Sequence, residues 1–197
     1  MARVSLVRRG CAACRSPAAG YARRMRERAA ALPDDAVDDA RPSLAPEFDV
    51  VIEVPRGSFL KRGLTGRIDF VSPLPCPFNY GAVPSHLGLE GDLLDALVLG
   101  PRLRFGTRLR VRAWGAVTLT DRGMSDDKLV CSAQRPSREE CADVLRFFHF
   151  YARCKALLNF VKRRPGRNAC EGWCEASDAI SRARPLKGPW TGSPVPY

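Results

Sequence analysis

Residues 89–99 read Leu89-Glu90-Gly91-Asp92-Leu93-Leu94-Asp95-Ala96-Leu97-Val98-Leu99, three carboxylates gathered about a glycine and running at once into an apolar segment. Acids beside glycine form turns, and the apolar run that follows has the length of a strand buried on both faces. Together they describe a sheet that carries clustered negative charge on its rim. A second stretch, Thr120-Asp121-Arg122-Gly123-Met124-Ser125-Asp126-Asp127-Lys128-Leu129-Val130, repeats the arrangement, with Leu129 and Val130 as its apolar end. Facing each other, two such loops make an oxygen-only cage. Hard divalent cations take ligands of this kind, and Mg²⁺ is held by a few carboxylates together with water and substrate phosphate. With only two histidines in the chain, a zinc or iron centre is the lesser choice.

Outward from this segment, the chain reads as short strands separated by turn residues. Asp49-Val50-Val51-Ile52-Glu53-Val54 is a β-branched run stopped by Pro55 and Gly57. Thr65-Gly66-Arg67-Ile68-Asp69-Phe70-Val71 alternates polar and apolar residues, the period of a half-buried strand. Leu94 to Leu99 is expected to be a central strand, and Arg108 to Val117 alternates again with its basic side toward solvent. Strands of this number and length suggest a barrel. A helix is expected from Ser137 to about Val161. Pro136 breaks the chain before it, Ser137 caps it and Glu140 completes a capping box. Cys141, Val144, Leu145, Phe148, Tyr151 and Ala152 recur at steps of three and four residues, one core-facing stripe. A shorter helix is expected over Cys174 to Ala183.

The order Glu53-Val54-Pro55, Lys61, Phe78-Asn79-Tyr80-Gly81, Glu90 to Asp95, Asp121 to Lys128 and Phe147-Phe148 to Tyr151 resembles the family I soluble inorganic pyrophosphatases, over roughly residues 48 to 180. The acidic block is the most specific part. It is similar to the family's Asp-Gly-Asp-Pro-x-Asp, with Glu90 for the first Asp and Leu93 for the Pro. The resemblance implies a mixed fold of β-barrel plus α, a small closed five-stranded OB-like barrel flanked by two or three helices. It implies an Mg²⁺-dependent diphosphatase with several ions per site, Mn²⁺ or Zn²⁺ being possible substitutes, in which a metal-activated water converts pyrophosphate to two orthophosphates. It carries metal binding onto Glu90, Asp92, Asp95, Asp121 and Asp126, with Asp95 bridging two ions and Asp92 accepting the proton of the attacking water. Glu53, Lys61, Tyr80, Lys128 and Tyr151 fall on substrate-binding positions, and Lys61 and Tyr80 stand with Asp92 as the catalytic set. Asp126 is taken as the ligand and its neighbour Asp127 as exposed. The resemblance implies a homo-oligomer, the usual state of the family's members, and at least a dimer is expected.

The departures bear on the phosphate grip. Ser72 stands in register with a family Arg, Ala152 with the Lys after Tyr151, Gly63 with a Glu, and Arg122 with an acid. Arg56, Arg62, Arg67 and Arg153 are the nearby candidates for substitution, although arginine geometry is not freely exchanged. The alternative function is therefore a catalytically weakened homologue that binds metal and a phosphate-rich ligand as a binding or regulatory module.

At 197 residues the chain has the length of one domain with tails, enough to bury a core without staples. Residues 1–47 are read as an Arg-rich, poorly ordered extension with some helix around Tyr21 to Leu32, residues 48–183 as the catalytic domain, and residues 184–197 as a Pro/Gly-rich tail. The first residues carry no secretory h-region, and an untargeted leader is preferred to an organellar transit peptide. The net charge of +11 invites a nucleic-acid partner. However, no stacking aromatics interleave with the basic runs, rim carboxylates repel a phosphate backbone, and no nucleic-acid partner is expected. No apolar stretch approaches the roughly 20 residues of a membrane span. The eight cysteines are scattered, which fits a reducing compartment and a cytoplasmic protein. Cys11-x-x-Cys14 with Cys170-x-x-x-Cys174 permits a four-sulfur zinc site. The plainer reading is that Cys141 and Cys154 are small buried residues and the others incidental.

Overall fold

The computed structural model describes residues 45–188 apart from 63–66, 73, 162, 164 and 165. The helix expected around residues 21–32, the Cys11/Cys14 pair, Gly63 and the last nine residues lie outside these. Five strands close into a ring. β1 (Glu47–Val54) pairs antiparallel with β4 (Asn79–Leu87), β4 with β5 (Leu93–Val98), and β5 runs parallel to β7 (Met124–Ser132). β7 pairs antiparallel with β6 (Arg108–Asp121), and β6 returns to β1. The length of β6 makes closure possible. Its first residues, 108–112, pair with β1, while beyond the irregularity between Ala113 and Gly115 it lies between β7 and β8 (Ala169–Cys174). β9 (Arg184–Pro185) adds to β4, so the chain after residue 183 continues into the sheet.

β2 (Leu60–Arg62) and β3 (Ile68–Val71) form a separate two-stranded ribbon. Of the alternation read over residues 65–71, Ile68 and Val71 are more than half exposed and do not face the core. Among the described residues, β2 is the one strand that pairs with β3.

Two apolar layers lie on the two faces of the ring. The inner one draws Val50, Ile52, Val83, Leu94, Ala96, Val111, Ala116, Leu129 and Cys131 from all five strands, and Ala176, Ala179 and Ala183 close over it. The first two of these belong to α2 (Ala176–Arg182), which begins after Cys174 has ended β8, two residues later than the sequence pattern suggested. The outer layer is Leu97, Val117, Leu119, Val130 and Trp173 against Cys141, Val144 and Phe148 of α1 (Arg138–Val161). The capping box at the start of α1 is reciprocal. The Glu140 amide donates to Ser137 Oγ at 3.2 Å and the Ser137 amide to Glu140 Oε2 at 2.9 Å. Cys141 is buried in the stripe as expected, whereas Cys154 is only half-buried. Among the described residues no helix is long and apolar enough to cross a membrane.

Candidate active site

Strand registers decide which acids meet. Asp95 on β5 lies beside Lys128 on β7, Asp126 precedes Lys128 by two residues, Leu119 on β6 opposes Asp126, and Asp121 follows Leu119 by two. Side chains two apart on a strand, and those directly opposed across strands, share a face. Asp95, Asp121, Asp126 and Lys128 are therefore on one side of the sheet, the side that Leu97, Val117 and Val130 turn to α1. The acids accordingly lie on the outer face of the ring, the one that α1 packs against. All four are buried, with relative exposures of 5 to 8%. Turn-forming acids would be solvated.

Lys128 organises this wall. Its ammonium donates to Asp95 Oδ2 at 2.7 Å, to Asp126 Oδ1 and Oδ2 at 2.8 and 3.0 Å, and to the Tyr80 hydroxyl at 3.1 Å. Burial alone would lower its pKa, but Asp126 and Asp95 outweigh burial and hold it well above the ordinary lysine value. Burial likewise pushes the Asp95 carboxyl up, yet Lys128 and then Lys61 overcome it and the pKa is lowered. Asp126, buried and facing the ionised Asp95, keeps a raised pKa despite Lys128. Burial and then the Asp95 charge raise Tyr80 far above its usual value, so its hydroxyl stays protonated. Lys61 Nζ approaches Glu53 Oε2 at 3.7 Å and Asp95 Oδ1 at 3.9 Å, with 5.2 Å to the centre of the Tyr80 ring. Tyr80 is held in place by its neighbours. Asn79 is fully buried, donates to the carbonyls of Val98 and Pro101, and accepts from the amides of Arg56 and Leu103. At Gly81 a Cβ would stand 2.2 Å from the Val51 carbonyl oxygen, so only glycine lets β1 and β4 approach there.

One carboxylate oxygen from each of Glu90, Asp95 and Asp126 lies within 4.8 Å of the others. Asp92 and Asp121 are outside this tight group. Asp92 Oδ1 accepts the Leu93 amide at 2.8 Å in the turn entering β5. Asp121 ends β6 at a two-residue hairpin turn, Arg122-Gly123, in which both residues have positive φ. Its Oδ2 accepts from Lys155 Nζ at 2.7 Å, and Lys155 lies 6.0 Å from the centre of the Tyr151 ring, which stacks on Phe147. Among the described residues, two buried side-chain oxygens have no hydrogen-bond partner, Glu90 Oε2 and Asp121 Oδ1. Both belong to this site. Buried carboxylate oxygens are not left unmatched without a cation to answer them, and an all-oxygen donor set suits a hard divalent metal. Glu90, Asp95, Asp126 and Asp121 therefore fit one.

A model of the family described as inorganic pyrophosphatase matches residues 50–183. The chain belongs to the inorganic pyrophosphatase family. The chain is 41% identical over 111 residues to an inorganic pyrophosphatase of Streptomyces coelicolor, covering 52% of this chain and 66% of that one. It is 33% identical over 150 residues to that of Leifsonia xyli, covering 67% and 88%. Against a soluble inorganic pyrophosphatase of rice it is 38% identical and spans about half of the relative's length, 48%. Solved inorganic pyrophosphatases of Thermus thermophilus and Coxiella burnetii superpose with TM-scores of 0.56 at 27% and 26% identity, covering 77% and 70% of this chain and 92% and 91% of theirs.

Several expectations change within this pyrophosphatase scaffold. Asp127, expected to be exposed, is 5% exposed on the inner face, where Thr118 Oγ1 donates to its Oδ1 and Arg182 Nε to its Oδ2 at 2.6 Å. Alternation along β7 sends adjacent acids to opposite faces. Cys170 packs in the outer layer and Cys174 in the inner, because β8 is irregular between them, so the two thiols do not converge. Arg56 donates to the Gly100 carbonyl, the Arg62 guanidinium lies over the Phe105 ring, and Arg67 and Arg153 are exposed. Ser72 caps its own loop, its hydroxyl accepting the Leu74 amide. The cation that does arrive, Lys155, was missed. Its spacing of four from Tyr151, one turn along the same helix face, was the available signal.

Burial, and then Asp126, push Glu90 up to about 8. A carboxyl whose pKa is raised on folding contributes stability that is whole below its unfolded value of 4.5 and is lost as pH rises toward 8. In a chelating buffer, the difference in thermal midpoint between Glu90→Gln and the wild type is expected to grow in the variant's favour from pH 5 to 8. For a half-buried group the gain is on the order of 1–2 kcal/mol after screening, or roughly 3–6 °C. Parallel midpoints across that range would contradict it. Taking the difference removes other titrations, among them that of His86, whose pKa burial lowers.

Proposed function

We propose that this pyrophosphatase-family chain hydrolyses inorganic pyrophosphate to two orthophosphates, with Mg²⁺ as its metal. The reading rests above all on one observation, three carboxylates from the turn before β5, from β5 and from β7 within 4.8 Å of one another, on a wall shared with Lys128, Lys61 and Tyr80. Pyrophosphate carries several negative charges that repel both an attacking hydroxide and the departing phosphate, so catalysis is chiefly neutralisation and positioning. Glu90, Asp95, Asp126 and Asp121 would hold the metal ions, which when bound supply positive charge to the phosphates and lower the pKa of a water. Lys128, locked among Asp95, Asp126 and Tyr80, keeps the acids apart and adds fixed positive charge. Lys61 stands beside Glu53 and Asp95 at 22% side-chain exposure, near enough to the surface to meet a phosphate. The Tyr80 hydroxyl, kept protonated by burial and the Asp95 charge, serves as a neutral donor, Tyr151 is assigned to the substrate, and Asp92 is assigned the proton of the attacking water. No covalent intermediate is needed.

The described cysteines are all free thiols, which suits a reducing compartment, and we place the protein in the cytoplasm. Phe150, Leu157, Phe160 and Val161 are 53 to 81% exposed along α1, an apolar face suited to a second copy, so at least a dimer is proposed, to be read by sedimentation. Residues 48–183 are proposed as the catalytic domain, to which Glu47 of β1 and Arg184–Pro185 of β9 also belong.

Phosphate release from purified protein supplied with Mg²⁺ and pyrophosphate tests the activity. Release is expected with Mg²⁺ and not in excess chelator. Release no faster than that of an Asp92→Asn variant would reject hydrolysis, and tight calorimetric binding of the substrate without turnover would instead make the chain a phosphate-binding module.

A further inference from the structure

We propose that Lys155 is a substrate-binding residue that grips a phosphate oxygen of the diphosphate, acting from one helical turn beyond the position at which Ala152 offers only a methyl group. The inference rests on the pyrophosphatase reading above. Ala152 is buried, 7% exposed, on α1. Lys155, four residues after Tyr151, rises on the same helix face as that ring. Its ammonium reaches the carboxylate wall from the helix side, 2.7 Å from Asp121 Oδ2, and its charge is felt at Asp126.

The lysines of the site differ in how they are held. Lys128 is 6% exposed and fixed between two carboxylates and a phenol, so it cannot leave the wall. Lys155 is 24% exposed at the edge. An ammonium on a four-carbon stem with three rotatable donors can exchange one oxygen partner for another at little cost. Asp121, which it now contacts, has its other oxygen buried without a hydrogen bond, with the Arg122 guanidinium nitrogen Nε 4.0 Å away. A cation arriving at Asp121 would loosen its claim on Lys155 and turn that ammonium toward the substrate. Lys61 stands on the barrel side and Lys155 on the helix side, so a diphosphate lying on the wall would meet one lysine at each flank.

The test compares wild type, Lys155→Met, Lys155→Arg and the double variant Ala152→Lys/Lys155→Met. Three quantities are read: KM and kcat for Mg-pyrophosphate, calorimetric affinity for imidodiphosphate with Mg²⁺ present, and affinity for Mg²⁺ alone. Lys155→Met is expected to raise KM and weaken imidodiphosphate binding by about tenfold or more, the loss of one charge-assisted contact. Its Mg²⁺ affinity should be unchanged or tighter, since a competitor for Asp121 has gone. Lys155→Arg should recover part of the loss, and restoring a lysine at 152 should recover some as well. Imidodiphosphate binding equal to wild type in Lys155→Met would overturn the proposal. So would weakened Mg²⁺ binding with substrate affinity intact, which would make Lys155 merely a support for Asp121. If wild type bound imidodiphosphate but released no phosphate, the hydrolytic reading would fail while the binding comparison still decided the role of Lys155.

Discussion

Replacing Asp95 by Asn is expected to lower phosphate release by at least about a thousandfold, roughly 4 kcal/mol of transition-state stabilisation. Asp95 is the hub of the site. It shares the three-carboxylate group with Glu90 and Asp126 and accepts from Lys128 at 2.7 Å. Lys61 lies 3.9 Å from its other oxygen. Asparagine keeps the shape but removes the charge that holds two lysines and would hold metal. The fold should survive, because Lys128 retains both oxygens of Asp126 and the barrel layers do not include residue 95. Phosphate release and a calorimetric Mg²⁺ titration, read beside a thermal midpoint within a few degrees of wild type, check this. Activity within tenfold of wild type would remove Asp95 from the centre of the chemistry.

The second large effect concerns stability. Arg182→Ala strips the partner from Asp127, an acid 5% exposed inside the barrel, and breaking a buried pair on one side costs about 3 kcal/mol or more. For a chain of this length the melting midpoint should fall by roughly 6–12 °C. The double variant Asp127→Asn/Arg182→Met should recover most of it, since no buried charge remains uncompensated. Activity per folded molecule should change little, because the pair lies on the face opposite the carboxylate wall. Denaturant titration of the three proteins decides the matter, and a loss below about 1 kcal/mol would mean that water reaches Asp127 and screens it.

Much of the site was legible because its parts are local. Glu90 and Asp95 announce themselves beside Gly91, and the helix start at Ser137 is written in the capping box. The resemblance carried Glu53, Lys61, Tyr80 and Lys128 to positions that the fold gathers around one wall. The strands β4, β7 and β8 were not read, because Asn79–Leu87 and Ala169–Cys174 contain glycine, proline or cysteine in place of a β-branched run, and because the acids of β7 resembled a turn. Residues whose role depends on distant partners left no local mark. Arg182 looked like any surface arginine, and Asn79 like an unremarkable neighbour of Tyr80.

The amino-acid order by itself determined that acidic loops feed buried strands, that one long amphipathic helix follows them, and that the motifs fall in the pyrophosphatase order. These are short-range matters of propensity, capping and period, complete within a few residues. Tertiary structure alone decided that Asp127, behind Asp126, is buried with Arg182, that the acids line the outer wall beneath α1, and that Lys155 meets Asp121. A strand's alternation separates two faces without saying which is which. That choice is made by pairing register and by what packs on each side, and both depend on residues far away in the chain.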